Sequence, residues 1–207
     1  MPNWCVTDLI IAGDKSELEK LEKLIGKWTS KEYSKSKVDK MWLGNIVLGA
    51  GFKTFDEARD GFRCRGSIVY IGEVERAEEK LYSLEIEYES AWEPMIEMWY
   101  AVIKKYTPHC RLYWYAEEPG FELYQSNDEN HIFFDVEYAV TCWVKDDNKF
   151  SKAGFENGTG TYTKEGLTDM LRKVYGEKTL DEMRLLVTKD VEEWEDEFLG
   201  IYDIEIV

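Results

Sequence analysis

Residues 81–106 read LYSLEIEYESAWEPMIEMWYAVIKKY, and this stretch decides the fold. Its first part alternates. Leu84, Ile86 and Tyr88 fall on one face, and Ser83, Glu85, Glu87 and Glu89 on the other. That period of two predicts a strand buried on one side only. A strand covered on both faces would be apolar throughout, so the carboxylate row points to an antiparallel sheet with an open face. The second part changes period. Met95, Met98, Trp99, Val102, Ile103 and Tyr106 recur every three or four residues, which predicts a helix with an apolar stripe. Pro94 suits its first position, where the missing N–H would be unpaired anyway. Thr107-Pro108 stops it.

Upstream, residues 4–12 alternate in the same way. Cys5, Thr7, Leu9 and Ile11 share one face; Trp4, Val6, Asp8 and Ile10 share the other, and Gly13 ends the strand. A helix follows, with Ser16 and Glu19 at capping-box spacing and Leu18, Leu21, Leu24, Ile25 and Trp28 as its stripe. Residues 29–66 read as an insertion: a lysine-rich tract at 31–40, several glycines, and a short helix near Phe55–Arg59. Ser67–Val74 predicts another strand. Downstream, Arg111–Glu117 is a strand, and Phe121–Gln125 with His131–Val140 predicts a hairpin around residues 127–130. Residues 145–162 read as a polar loop. Helices are predicted from Thr163 to Tyr175 and after a capping pair, Thr179 and Glu182. The second turns Met183, Leu186, Val187, Val191, Trp194 and Phe198 inward and ends at Gly200. Tyr202, Ile204 and Ile206 suggest a terminal strand.

The order from residue 4 to 117 is β, α, β, β, α, β. This predicts an α+β protein: a ferredoxin-like split βαβ antiparallel sheet with its helices on one face, plus the extra hairpin and C-terminal helices. The expected organisation is a domain over 1–140, with the insertion at about 29–66. A helical extension over 141–207, carrying the terminal strand, packs on the same domain.

Composition narrows the function. With 42 acidic and 26 basic residues the formal charge is −16, which repels nucleic-acid phosphates and anionic membranes and favours a basic protein partner. No apolar run approaches the length of a membrane-spanning helix, and the first residues lack an export signal; both predict a cytoplasmic protein. Cys5, Cys64, Cys110 and Cys142 form no C-x-x-C pair, and His109 and His131 are the only histidines. No metal site, iron–sulfur cluster or other cofactor is therefore expected. Buried free thiols in a reducing compartment are the expectation.

The opening Met1-Pro2-Asn3-Trp4-Cys5, with Leu9, Ile11 and Gly13, resembles the YubB ferredoxin-like domain family of bacterial plasmids, phages and related mobile elements. Ala91-Trp92-Glu93-Pro94 and Tyr115-Ala116-Glu117-Glu118 carry the resemblance further, over about residues 1–140. Met95 stands where that family usually has a second proline, Thr7 where it has asparagine, and Pro119 interrupts a Glu-Gly segment. The resemblance implies the fold and a bacterial origin, and no activity.

Two sets of residues carry candidate chemistry. Trp92, Glu93, Glu117 and Glu118 lie at element ends around the second helix and form a candidate ligand or partner cleft. Paired carboxylates there would share a proton or hold a divalent cation; the plainer reading has Glu93 capping the helix and the other two solvated. Glu85, Glu87 and Glu89 form a candidate acidic interaction face, a row able to imitate a phosphate backbone. Asn3-Trp4-Cys5 presents a thiol with no histidine near it in sequence. No nucleophile–base pair assembles, so no catalytic residue is assigned. The favoured reading is a non-enzymatic interaction module with an acidic surface. The alternative is a small-ligand-binding or hydrolytic enzyme using the carboxylate cluster with a divalent cation.

Overall fold

The strand at the centre of the argument, β4 (Tyr82–Ala91), forms as the alternation requires: Leu84, Ile86 and Tyr88 are fully buried, while Glu85 and Glu89 are exposed. A computed structural model describes residues 3–30, 39–56, 58–192 and 194–207. Among these the chain is α+β, with six α-helices and mostly antiparallel strands. It divides into two compact units, Met1–Leu123 and Tyr124–Val207. This boundary falls before residue 140, where the sequence reading placed it.

In the first unit β1 (Trp4–Gly13) lies between β4 and β5 (Arg111–Glu118), antiparallel to both. β2 (Gly66–Ile71) pairs antiparallel with the far side of β4, and the short β3 (Glu75–Arg76) pairs with the start of β4. The order is therefore β2-β4-β1-β5. Leu9 sits opposite Ile86 on one side and Trp114 on the other. Helices α1 (Lys15–Trp28), α2 (Leu43–Gly49) and α3 (Ile96–Tyr106) pack on this apolar face. Leu18, Leu21, Ile25, Ile46, Trp99 and Val102 join Leu9, Ile11 and Leu84 in one core, all at 2% exposure or less.

Several local predictions need correction. Asp14, not Ser16, caps α1, accepting from the N–H groups of Ser16 (2.9 Å) and Glu17 (3.1 Å). Helix α3 begins at Ile96 rather than Pro94, because Met95 at its N-cap takes a left-handed backbone (φ 50°). The insertion holds no helix over the described part of 55–59. Its helix is α2, where Leu43, Ile46 and Val47 are wholly buried. The insertion was expected to hold only the short helix near Phe55–Arg59, yet α2 supplies core. The lysine-rich tract lies largely outside the described residues.

The boundary falls within β6 (Leu123–Ser126), and the second unit continues with β7 (Tyr138–Trp143), α4 (Lys149–Ala153), β8 (Gly158–Tyr162), α5 (Lys164–Tyr175), α6 (Leu180–Glu192), β9 (Phe198–Asp203) and β10 (Glu205–Ile206). The predicted hairpin does not form. β7 pairs with β8 and β9 in the antiparallel order β8-β7-β9, and β6 pairs in parallel with β10. The reason is Asp128. Its buried carboxylate accepts from the N–H groups of Ile132 (3.0 Å), Phe133 (2.7 Å) and Phe134 (2.9 Å), so those donors are unavailable to a ladder. The polar stretch 145–162 is not loop throughout but carries α4 and β8. Helix α6 ends before Phe198, and Gly200 lies inside β9. Its capping box is as read: Thr179 N–H donates to Glu182 at 2.9 Å and Glu182 N–H to Thr179 Oγ1 at 3.3 Å. Phe150, Leu167, Leu171 and Met183 centre this unit's own core.

Candidate functional site

Opposite the helices, the sheet of the first unit presents carboxylates. Glu85, Glu87 and Glu89 project from β4 about 7 Å apart, two residues at a time along an extended chain. The register then adds a residue that the sequence did not single out. Asp8 of β1 lies opposite Glu87 on β4 and opposite Tyr115 on β5. Glu117 lies opposite Val6, the neighbour of Asp8 on that face. Burial, then Glu87, Glu85 and Glu117, push the Asp8 carboxyl up from 3.8 to about 6. Burial also raises Glu117, against a hydrogen bond from the Tyr115 hydroxyl at 2.9 Å that lowers it. This face is not left uniformly to water, as the alternation suggested: Tyr115 is buried, and Asp8, Glu87 and Glu117 are half-buried. A carboxylate row thus surrounds one acid that takes up a proton near pH 6.

The four residues of the candidate cleft are divided among three tasks. Trp92 and Glu93 line a cavity of about 510 Å³ with Trp42, Phe55, Phe62 and Arg63. Glu93 does not cap α3; its Oε1 accepts from Arg63 Nη1 at 2.6 Å. Glu118 is 3% exposed and is spent on the backbone, accepting from Gly120 N–H (3.1 Å) and Phe121 N–H (2.6 Å) to cap the short 3₁₀ turn at Pro119–Phe121. Glu117 belongs to the acidic face. Neither Glu117 nor Glu118 lines the Trp92 cavity. The three carboxylates bear together on Cys5: burial first, and then their charges against a hydrogen bond with Thr7, raise its thiol to about 12. Such a sulfur stays protonated and is a poor nucleophile.

The sequence reading missed the cleft's other wall. Arg59, Arg63 and Arg65 crowd into residues 59–65, whereas Arg76, Arg111, Arg172 and Arg184 are scattered. In so acidic a chain that crowding was the available signal. The aromatic side chains around α3 divide as well: Trp114 and Tyr115 are buried, whereas Trp92 is 44% exposed.

Other reactive groups are quiet. No disulfide joins the four cysteines, and all four are buried. His109 Nδ1 lies 2.6 Å from Glu17 Oε1, a hydrogen bond that raises the imidazole and lowers the carboxyl. Among the described residues no group of three His, Cys, Asp or Glu side chains is disposed to hold a metal ion. Nor is any helix long and apolar enough to cross a membrane. No family model, curated protein or solved structure matches the chain.

Proposed function

We propose that this protein is a non-enzymatic interaction module whose acidic sheet face engages a basic protein. The observation that carries the reading is the register of β1 between β4 and β5, which gathers Asp8, Glu87 and Glu117 on the face that Glu85 and Glu89 extend. Burial first, and repulsion from Glu87, Glu85 and Glu117 second, hold a proton on Asp8 near pH 6, and cationic groups from a partner relieve the repulsive part. The strand order β2-β4-β1-β5, with each neighbouring pair antiparallel, supports the ferredoxin-like split βαβ arrangement. The motif at residues 1–13 and the Trp92-Glu93-Pro94 and Tyr115–Glu118 segments support membership of the YubB family. A bacterial, mobile-element origin follows from that reading. The charge of −16 argues against direct nucleic-acid binding.

The divalent-cation enzyme has no specific observation in its favour, since Glu93 is taken by Arg63 and Glu118 by backbone N–H groups. The test of the module is calorimetric titration with an oligolysine peptide at low and high salt. Substituting Glu85, Glu87 and Glu89 by Gln should weaken binding strongly. A matched substitution of the exposed Glu73, Glu78 and Glu79 should change it little. Equal loss in both variants would reduce the interaction to net charge and remove the proposal.

A further inference from the structure

The cleft beside Trp92 has features that the acidic-face reading does not use. Its walls leave large aromatic surface wet: Trp92 is 44% and Phe55 51% exposed. A ligand that covers those rings recovers their hydrophobic free energy. The segment presenting Trp92 is also held against backbone preference. Trp92 (φ 76°) and Met95 (φ 50°) both take the left-handed conformation, which side chains other than Gly rarely adopt and which clusters at binding sites. Two hydrogen bonds fasten it. Ser90 Oγ donates to the Glu93 carbonyl at 2.6 Å, and the Tyr88 hydroxyl donates to the Pro94 carbonyl.

The charges of the cleft sort into a spent pair and an unspent one. Arg63 is bonded to Glu93 and lies 5.9 Å over the Phe55 ring. Arg65 and Asp56 line the same cavity and enter no salt bridge among the described residues. One open guanidinium and one open carboxylate beside exposed aromatic rings call for a ligand with both signs of charge and a flat apolar body. A purely anionic ligand would leave Asp56 unmatched, and a purely cationic one would leave Arg65 unmatched.

We propose that this cleft binds an aromatic zwitterion of the amino-acid type. Its ring packs on Trp92 and Phe55, its carboxylate meets Arg65 and its ammonium meets Asp56. A volume of about 510 Å³ lies within the range of small-molecule sites and leaves room for a substituent beyond a single amino acid. The reading stands apart from the acidic face, and either can fail without the other.

The test uses the full chain and three probes that share one ring system: L-tryptophan, indole-3-propionate without the ammonium, and tryptamine without the carboxylate. Binding is followed at the Trp92 indole N–H resonance, assigned with Trp92→Phe. L-Tryptophan should bind about tenfold more tightly than either analogue, the factor of one charge-assisted contact. Arg65→Gln should weaken L-tryptophan and indole-3-propionate and spare tryptamine. Asp56→Asn should weaken L-tryptophan and tryptamine and spare indole-3-propionate. Trp92→Gly suits the positive φ, so it should keep the fold while losing all three ligands, read by calorimetric titration because the reporter indole is gone. Equal binding of the three probes, indifference to both charge substitutions, or no shift at concentrations on the order of 10 mM would overturn the proposal.

Discussion

Two irregular segments, 90–95 and 128–134, solve the same problem with opposite chemistry. Each holds non-glycine residues at positive φ: Trp92 and Met95 in the first, His131 in the second. In 128–134 one buried carboxylate gathers three backbone N–H groups. In 90–95 two neutral hydroxyls, of Ser90 and Tyr88, donate to two backbone carbonyls. A carboxylate bonded to several N–H groups is a stronger tie than a hydroxyl–carbonyl pair. The loop with the stronger tie replaces a predicted hairpin, whereas the loop with the weaker one borders an open cleft. Strain alone therefore does not mark a binding segment; what matters is strain with aromatic surface left uncovered.

Breaking the stronger tie should give the largest effect. Asp128→Ala removes the acceptor of three N–H groups and should cost about 3 kcal/mol, read as a lower denaturation midpoint of the second unit. Tyr88→Phe strands the Pro94 carbonyl and should cost about 1–2 kcal/mol. If it costs as much as Asp128→Ala, the ranking of the two ties is wrong.

A second carboxylate sharpens the contrast, because Asp8 is half-buried among like charges. Its folded pKa of about 6 lies above its ordinary 3.8, so the folded state binds the proton more tightly. Ionised Asp8 then destabilises the fold fully above pH 6, and that cost fades as the pH falls toward 4. Asp8→Asn should raise stability at pH 7 by about 1–2 kcal/mol after allowance for solvent screening, with little gain at pH 4. A flat difference between variant and parent from pH 4 to 8 would contradict the assignment. The smallest effect should come from Trp92→Gly. Relief of the positive φ offsets lost ring contact with Phe121 (5.4 Å between centroids), and the thermal midpoint should move by a few degrees at most.

How much of this was legible in the sequence differs by region. Strands β1 and β4 were, because Leu84, Ile86 and Tyr88, and Cys5, Leu9 and Ile11, alternate cleanly and bury as read. So was the Thr179–Glu182 cap, a purely local motif. β8 was not. Gly158-Thr159-Gly160-Thr161-Tyr162 has no apolar alternation, and pairing with β7 rather than side-chain pattern makes it a strand. Nothing local distinguishes Asp128 from its neighbours Asn127, Glu129 and Asn130 as the buried acceptor. The candidate site was half legible. Glu85, Glu87 and Glu89 follow from alternation, but Asp8 joins them only through cross-strand register. The Trp92 cleft depends on residues 42–65, which have no period to read, so Trp42, Phe55, Arg63 and Arg65 meet Trp92 only through tertiary folding.

The cysteines have a practical consequence. Cys5, Cys110 and Cys142 are hidden, and burial lifts their thiols to about 12, 11 and 11. Cys64 is 5% exposed beside the cleft. Alkylating reagents added to the native protein should therefore report opening events rather than surface chemistry. Mass spectrometry of maleimide adducts would follow local unfolding in both units at once, and a single cysteine introduced on the acidic face would be labelled against a nearly silent background.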